Sequence, residues 1–316
     1  MKRITRECGV HVKESVILDD LTISDSALIK ADYFEIGKNS YIGHNVEIKG
    51  GRIVLGEGTK IEDYTRINVK DLKIGDRALF RPYVLMEGYE IDIGTESYFD
   101  EHAHVGGGSS FDLTSKLVAG DFLHMGKYSH LNPAMGMEIG HEFGCGIGTK
   151  VFTHGAYTSA WDGFPVQWSP VKIGDNVWLP NAWVNPGVTL EDDIVVSAMS
   201  LVNKNLPKGC LAVGSPAKVL RENVYPRKLT EKEGDELFKG MLRKAQTLTD
   251  YDVALTGQEI APIAYGRYKI DGTSFDLEER TIEGPVTKFT EVLKNQLRRN
   301  GIRFRYKADR GEYVPW

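Results

Sequence analysis

The chain has 316 residues, enough for two domains, and its 41% hydrophobic content is ordinary for a soluble globular protein. A formal net charge of -5 gives no electrostatic reason to expect nucleic acid or an anionic membrane as partner. No apolar run approaches the roughly 18 residues of a transmembrane helix, and Met1-Lys2-Arg3-Ile4-Thr5-Arg6-Glu7 leads into no apolar core of signal-peptide length.

Cys8, Cys145 and Cys210 are odd in number and far apart. They read as reduced thiols of a cytoplasmic protein, not as a disulfide framework or a zinc knuckle.

Val10, Val12 and Val16 are expected in a first, irregular coil, and a six-residue beat begins faintly at Ile23. It is clear from Ile36-Gly37-Lys38-Asn39-Ser40-Tyr41 and Ile42-Gly43-His44-Asn45-Val46-Glu47 onward. It returns at Leu55-Gly56, Ile74-Gly75, Ile93-Gly94, Met125-Gly126, Ile139-Gly140 and Ile173-Gly174, and it runs to about Val202. A small residue sits four places after many of the lead residues, as at Ser40, Thr59, Ala78, Ser97 and Ser129. Neither a helix nor an ordinary strand has this period. It predicts a solenoid of roughly ten three-sided coils, each hexad forming one flat face. Stacking at strand spacing, about 4.8 Å, buries the aliphatic lead residues that one coil alone cannot cover. Many of the 34 glycines fall at the second place of a hexad, where a coil is expected to turn its corner.

Three stretches break the beat. Gly106-Gly107-Gly108-Ser109-Ser110 reads as a loop or an opened corner, and Leu113 to Leu123 has weak phase. Gly155 to Pro170 has none, and it carries Tyr157, Trp161, Phe164 and Trp168. It is expected to leave the solenoid as a long, ordered, functional loop.

After Arg221 the composition changes. Thr230-Glu231-Lys232-Glu233 predicts a helix start, with Thr230 as cap and Glu233 as its box partner; Leu237, Met241, Leu242 and Leu248 follow near helical spacing. Ile263 to Ile270 and Ser274 to Ile282 read as strands joined by Asp271-Gly272. Pro285 is expected to open a second helix that Gly301 stops, and Ile302 to Lys307 alternates like a strand. Residues 222–316 are thus expected to form a small α+β domain of unassigned role, beside a solenoid domain over 1–221 with its loop at about 155–170.

The most specific stretch is ordered. Val151-Phe152-Thr153-His154-Gly155 ends one coil. After the aromatic loop come Val171-Lys172-Ile173-Gly174-Asp175-Asn176-Val177-Trp178, Val184-Asn185-Pro186-Gly187-Val188-Thr189-Leu190, Val195-Val196-Ser197-Ala198-Met199-Ser200-Leu201-Val202-Asn203-Lys204 and Gly214-Ser215-Pro216-Ala217-Lys218-Val219-Leu220-Arg221. In this order and spacing the segment resembles the hexapeptide-repeat acyltransferases, in particular the sugar O-/N-acetyltransferase and xenobiotic acetyltransferase branch. The resemblance is close over residues 150 to 221 and looser over the rest of the solenoid.

That resemblance implies a mainly β fold, a left-handed parallel β-helix, with the small α+β domain appended. It also implies a homotrimer with sites between neighbouring subunits, and direct acyl transfer from acetyl-CoA or another acyl-CoA to a hydroxyl or amine. The handedness rests on the resemblance alone, because the usual rule for parallel crossovers favours the right hand.

His154 matches the family's catalytic histidine. An imidazole titrating near pH 6.5 can take the acceptor's proton and return it to the leaving thiolate, while a backbone N–H at a corner can hold the oxyanion. The plainer alternative is a corner histidine bonded to a carbonyl. Lys204, Lys218 and Arg221 match positions near the CoA phosphates or adenine, or are ordinary solvated cations. Ser197 and Ala198 match the stretch along the pantetheine arm. Trp178 matches a tryptophan of this branch, either a pocket wall or a side chain packed under the loop. Asn132 is a candidate for orienting the acceptor, though an asparagine ladder inside the coil explains it more simply. Tyr157, Trp161 and Asp162 on the loop are further candidates for contact with a sugar or nucleotide-sugar acceptor.

The chain departs from the family at Ala156, where a second histidine often stands, and at Met199 and Pro180, where glycines usually sit. The run from Trp178 to Val188 is also one residue shorter than usual, so that coil is expected to be irregular.

Two other readings have specific carriers. His102 and His104 share a face if both lie on one strand, and with His124 and His130 they raise a metal-dependent hydratase of the carbonic anhydrase type. No third ligand fits cleanly, and paired exposed corner histidines explain them more simply. A catalytically silent scaffold is the remaining alternative. The tail from Arg298 to Lys307 interleaves cations with aromatics; strand alternation accounts for it more simply than nucleic-acid binding or docking of an anionic carrier.

Overall fold

A computed structural model describes residues 9–17, 20–249 and 262–315. The N-terminal Met1 to Glu7 and Cys8 lie outside the described residues. The chain divides into two compact units, Met1–Pro226 and Arg227–Trp316.

The first unit is a parallel β-solenoid of about 11 turns. Its register can be followed through one inward column: Ile29, Ile48, Ile67, Met86, Val105, Leu131, Val151, Val184 and Val202, each paired with the next. All nine are buried. Alternation turns every second side chain inward, so stacking coils at strand spacing builds a continuous apolar core. Val10–Ile17, expected to be irregular, pairs in parallel along Leu28–Ile36.

The early coils are not three plain hexads. Ile29 pairs with Ile48 and Ile48 with Ile67, so each turn takes nineteen residues. The extra residue lies in the nine-residue strands Leu28–Ile36, Glu47–Leu55, Arg66–Ile74 and Leu85–Ile93, which run through a corner without breaking. Asp32, Gly51, Lys70 and Tyr89 fall out of the pairing at that corner.

The hexad glycines have a different cause from the expected one. Gly37, Gly56 and Gly75 are not among the residues with positive φ. A Cβ on them would lie 2.4 Å from the Glu57 nitrogen, 2.5 Å from the Asp76 nitrogen and 2.7 Å from the Gly94 carbonyl carbon. They are glycines because the next coil's backbone lies against them. The left-handed corner residues come two places later, at Asn39, Gly58, Arg77 and Glu96. Corner aspartates close these turns, as where Asp76 Oδ1 accepts from the Glu57 N–H at 2.8 Å. Ser40, Thr59, Ala78 and Ser97 are buried, where the narrow coil has room only for small side chains.

A hairpin of Leu211–Gly214 and Ala217–Arg221 runs antiparallel at the C-terminal end of one face. It gives the last parallel strand a hydrogen-bonding partner. Cys145 and Cys210 are free and buried, and burial pushes the Cys145 thiol up to about 11. No helix among the described residues is long and apolar enough to cross a membrane.

The second unit packs helices α1 (Glu231–Thr249) and α2 (Lys288–Arg299) with a six-stranded sheet. Phe238, Met241, Leu242 and Ala245 form the buried stripe of α1, while Leu237 and Leu248 face outward. Phe238 stacks on Tyr268 at 3.6 Å.

The two long strands expected before α2 are each interrupted by a turn. They form Pro262–Ala264 with Arg267–Ile270, and Thr273–Asp276 with Thr281–Pro285. Asp271-Gly272 is the turn between the pairs, both residues having positive φ. Pro285 ends a strand and does not open the helix. Thr287 caps α2 instead, in a reciprocal box with Thr290. In the tail Phe304 and Tyr306 are buried while Lys307 is exposed, so alternation accounts for the cation–aromatic pattern.

The N-terminal cap of α1 carries a pH prediction. Glu233 accepts from the Thr230 N–H at 2.8 Å and from its hydroxyl at 3.0 Å, and it pairs with Arg227. The backbone bond, then Arg227, then the hydroxyl hold its carboxyl down at about 2, from an ordinary value of 4.5. A depressed folded value means stability that is present above about 4.5 and fades as pH falls from there through about 2. Glu233→Gln is therefore expected to flatten the loss of helix signal across that window in an acid titration followed by circular dichroism. An unchanged slope would contradict the cap's role.

Candidate active site at an opened corner

Three successive coils leave the regular path at the same corner. Val105, Leu131 and Val151 stack on one side of it, and Leu117, Met137 and Val171 stack on the other. In the strand Leu85–Ile93 the chain crosses this corner without a break. In the next coil it loops out through Gly106 to Ser115, then through Asn132 to Gly136, then through Phe152 to Pro170. Two of the sequence's interruptions are thus neighbours in space.

Side-chain hydroxyls knit the corner together. Thr153 is fully buried; its Oγ1 donates to the Asn132 carbonyl at 2.9 Å and accepts from the Met135 N–H at 3.0 Å. Thr114 Oγ1 donates to the Ala134 carbonyl at 2.8 Å. Asn132 is buried, and its Oδ1 accepts from the Ala134 N–H at 3.1 Å. Buried groups with satisfied partners hold a single geometry.

His154 stands at the edge of this frame. Residues His154–Gly155 pair antiparallel with Gln167–Trp168, so the aromatic loop closes as a hairpin. The Ser169 N–H donates to the Thr153 carbonyl at 2.9 Å, and Gln167 Nε2 donates to the Pro186 carbonyl at 2.8 Å. The His154 ring stacks on Trp168 at 4.7 Å and lies edge-on to Phe152. Its Nδ1 is buried and has no hydrogen-bond partner among the described residues. Its Nε2 faces Gly108. An imidazole fixed by backbone pairing and stacking, with one nitrogen toward an open side, is suited to proton exchange with a bound acceptor.

A histidine stack borders the same corner. His104 and His130 stack at 4.1 Å, and His130 Nε2 donates to the Gly106 carbonyl at 2.8 Å. Burial, with His130's charge second, holds His104 down at about 4. Burial also lowers His130, against the opposing pull of the Gly106 carbonyl. His102 does not join this pair. It occupies a left-handed corner position and stacks between Tyr83 and Tyr128, each at 5.0 Å, while His124 stacks on Tyr98. The alternation that would bring His102 and His104 to one ion is therefore not the local geometry. Among the described residues no group of three or more His, Cys, Asp or Glu side chains is placed to hold a metal ion.

The remaining sequence candidates are spread more widely. Trp178 lies over Gly144 on another face of the solenoid and is part exposed. Phe152 instead stacks on Trp183 at 5.2 Å, beside His154. Tyr157 and Trp161 are fully exposed at the loop's tip, with Asp162 in the short 3-10 turn beside them. Trp168, not these three, lies against His154.

Ser197 and Ala198 form the turn after Val195–Val196, with the Ser197 N–H bound to the Ala212 carbonyl at 2.8 Å. Met199 has φ +59°, which explains why a glycine suits that position. The coil through Pro180 is one residue short: Cys145 to Val151 spans six steps, and its partners Leu179 to Val184 span five.

Lys204 lies just beyond the last inward column, and Lys218 and Arg221 lie on the closing hairpin. All three are exposed, and none joins an ion pair among the described residues. Unpaired cations at one end of the repeat fit a polyanionic nucleotide.

Trp168's stack, the wiring of Thr153 and the approach of Gly108 to His154 were not legible from residue type. The run of three glycines was the available signal, but only the register shows that it lies next to His154.

The corner and its repeat define the class: a hexapeptide-repeat parallel β-solenoid whose histidine-bearing site lies where the repeat is broken. By sequence, the chain is related to acetyltransferases. It is 32% identical over 114 residues to the galactoside O-acetyltransferase of Escherichia coli, covering 33% of this chain and 55% of that protein. It is 34% identical over 110 residues to an E. coli protein assigned as a colanic acid biosynthesis acetyltransferase, covering 34% of this chain and 60% of the relative. The chain therefore spans little more than half the length of these relatives. A hexapeptide-repeat acetyltransferase structure from Vibrio cholerae is 23% identical and covers 43% of this chain and 73% of its own, with a TM-score of 0.33. That likeness is too slight to add to the register. No protein-family model matches the chain.

Proposed function

We propose that the chain is an acyl-CoA-dependent acyltransferase, moving an acetyl group from acetyl-CoA to a hydroxyl or amine of a sugar or nucleotide-sugar. The observation that carries the reading is His154 at the opened corner, held by Thr153, Trp168 and the hairpin, in a chain whose sequence relatives are acetyltransferases. The E. coli relative named for a galactoside supports a sugar acceptor.

His154 is the general base. The acceptor's O–H or N–H gives its proton to Nε2 as the oxygen or nitrogen bonds to the thioester carbonyl carbon. The C–S bond then breaks, and the proton passes to sulfur to give the free thiol. Corner N–H groups supply the oxyanion's donor. Lys204, Lys218 and Arg221 bind the nucleotide phosphates, and Ser197 and Ala198 lie along the pantetheine arm. Trp178 completes the cofactor side. Asn132 holds the backbone of the acceptor side through Ala134, and Tyr157, Trp161 and Asp162 meet the acceptor at the loop's tip. We place the protein in the cytoplasm as a homotrimer.

Thiol release from acetyl-CoA, measured against a panel of hydroxy and amino sugars, tests the reading. Acceptor-dependent release supports it, and release no faster than spontaneous hydrolysis with every acceptor contradicts it.

A further inference from the structure

The loop Gly106 to Ser110 approaches His154 with bare backbone. It is tied at several points: His130 donates to the Gly106 carbonyl, Ser110 Oγ donates to the Gly107 carbonyl at 2.6 Å, and Thr114 anchors the far end on Ala134. Gly106 and Gly107 have φ of +115° and +109°, where only glycine is unstrained. A Cβ on Gly107 would lie 2.9 Å from Asn132 Nδ2.

Gly108 differs. It is exposed, and its φ is not left-handed, so the backbone does not demand glycine there. A Cβ on it would meet no backbone; its nearest neighbour would be His154 Nε2 at 3.5 Å, then Cε1 at 3.9 Å. An acceptor oxygen hydrogen-bonded to Nε2 sits about 2.8 Å from it, in the space such a Cβ would begin to fill.

We propose that Gly108 is a specificity-determining position: its missing side chain keeps open the passage through which the acceptor's hydroxyl or amine reaches Nε2 of His154. His130 is the positioning residue that holds the loop at that distance. This rests on the acyl-transfer reading above, but the passage itself can be tested without turnover.

Diethyl pyrocarbonate acylates accessible imidazole nitrogens, and peptide mass spectrometry follows each histidine separately. The His154 rate is measured in the wild type, Gly108→Ala and Gly108→Val, with the part-exposed His141 as internal reference and the melting temperature as a check on folding. Alanine makes only ordinary van der Waals contact here, so it keeps the test available if valine unfolds the protein. The expected result is a several-fold slower reaction at His154 in Gly108→Ala and at least about tenfold in Gly108→Val, with His141 unchanged. Equal His154 rates in folded wild type and variants overturn the proposal.

In the acyl-transfer assay Gly108→Ala should raise the acceptor KM about tenfold and leave the acetyl-CoA KM unchanged. An equal change in both, or in neither, also overturns it. Slowed labelling together with no acyl transfer by any of the proteins overturns the acyl-transfer reading and leaves the passage standing.

Discussion

Exchange of His154 for alanine is expected to lower kcat for acetyl transfer by about 100- to 10,000-fold, the range a positioned general base contributes. Acetyl-CoA binding should be nearly unchanged, because the role proposed for His154 is on the acceptor's proton and the cations proposed for the nucleotide are Lys204, Lys218 and Arg221. The fold should also be unchanged. His154 is only part buried, and its strand pairs through backbone atoms that alanine keeps. The stack on Trp168 is lost, but Trp168 is itself exposed. A fall in kcat without a fall in melting temperature, with titration calorimetry showing intact acetyl-CoA binding, is the expected combination. A proportional loss of all three would mean that His154 supports the corner instead of acting on the acceptor.

The second large effect is on stability. Gly56→Ala is expected to destabilise the solenoid by about 1–3 kcal/mol, the usual cost of overpacking a close-packed interior. The added Cβ would lie 2.5 Å from both the Asp76 nitrogen and the Gly75 carbonyl carbon. Those are backbone atoms and cannot turn aside, so neighbouring coils must separate and strain the bond from the Glu57 N–H to Asp76. Two residues on, Gly58 has φ +67°, and a Cβ there makes only ordinary contacts, with the Arg77 side chain at 3.4 Å and its Cα at 4.0 Å. Asn39, Arg77 and Glu96 fill the corresponding place in other coils. Gly58→Asn should therefore cost less than Gly56→Ala, because asparagine tolerates the left-handed region. Urea midpoints of the two variants check the contrast. Equal shifts would mean that contact between coils does not set the glycine pattern.

This contrast also shows how far the sequence could be read. The beat from Ile36 onward located the faces and the buried lead residues, because inward column and hexad position coincide. It did not reveal why Gly37 and Gly56 are glycines, since a corner can demand glycine for its dihedral angles or for space, and only the next coil's position distinguishes them. The nineteen-residue turn was hidden because the extra residue falls at a corner where side-chain pattern carries little signal. In the second unit Thr230 and Glu233 were legible as a local cap. The start of α2 was not, because its cap uses Thr287 with Thr290 and Pro285 drew attention to itself as a helix opener.

At the site, His154 and the aromatic loop stood out by residue type and by broken phase. The neighbours that fix them did not. Thr153's bonds join Asn132 and Met135 from the previous coil, and Gly108 lies far from His154 in sequence. Such contacts depend on register across insertions of unequal length. Trp178 shows the reverse: a recognisable motif residue that lies on another face from Trp183, the tryptophan stacked beside the site.

The most direct test of the account is the mass of the acceptor after incubation with acetyl-CoA and either wild-type protein or His154→Ala. With the wild type the acceptor is expected to carry one added acetyl group, formed at least about 100-fold more slowly with the variant. Acetylated product formed at the wild-type rate by a folded His154→Ala protein would contradict it.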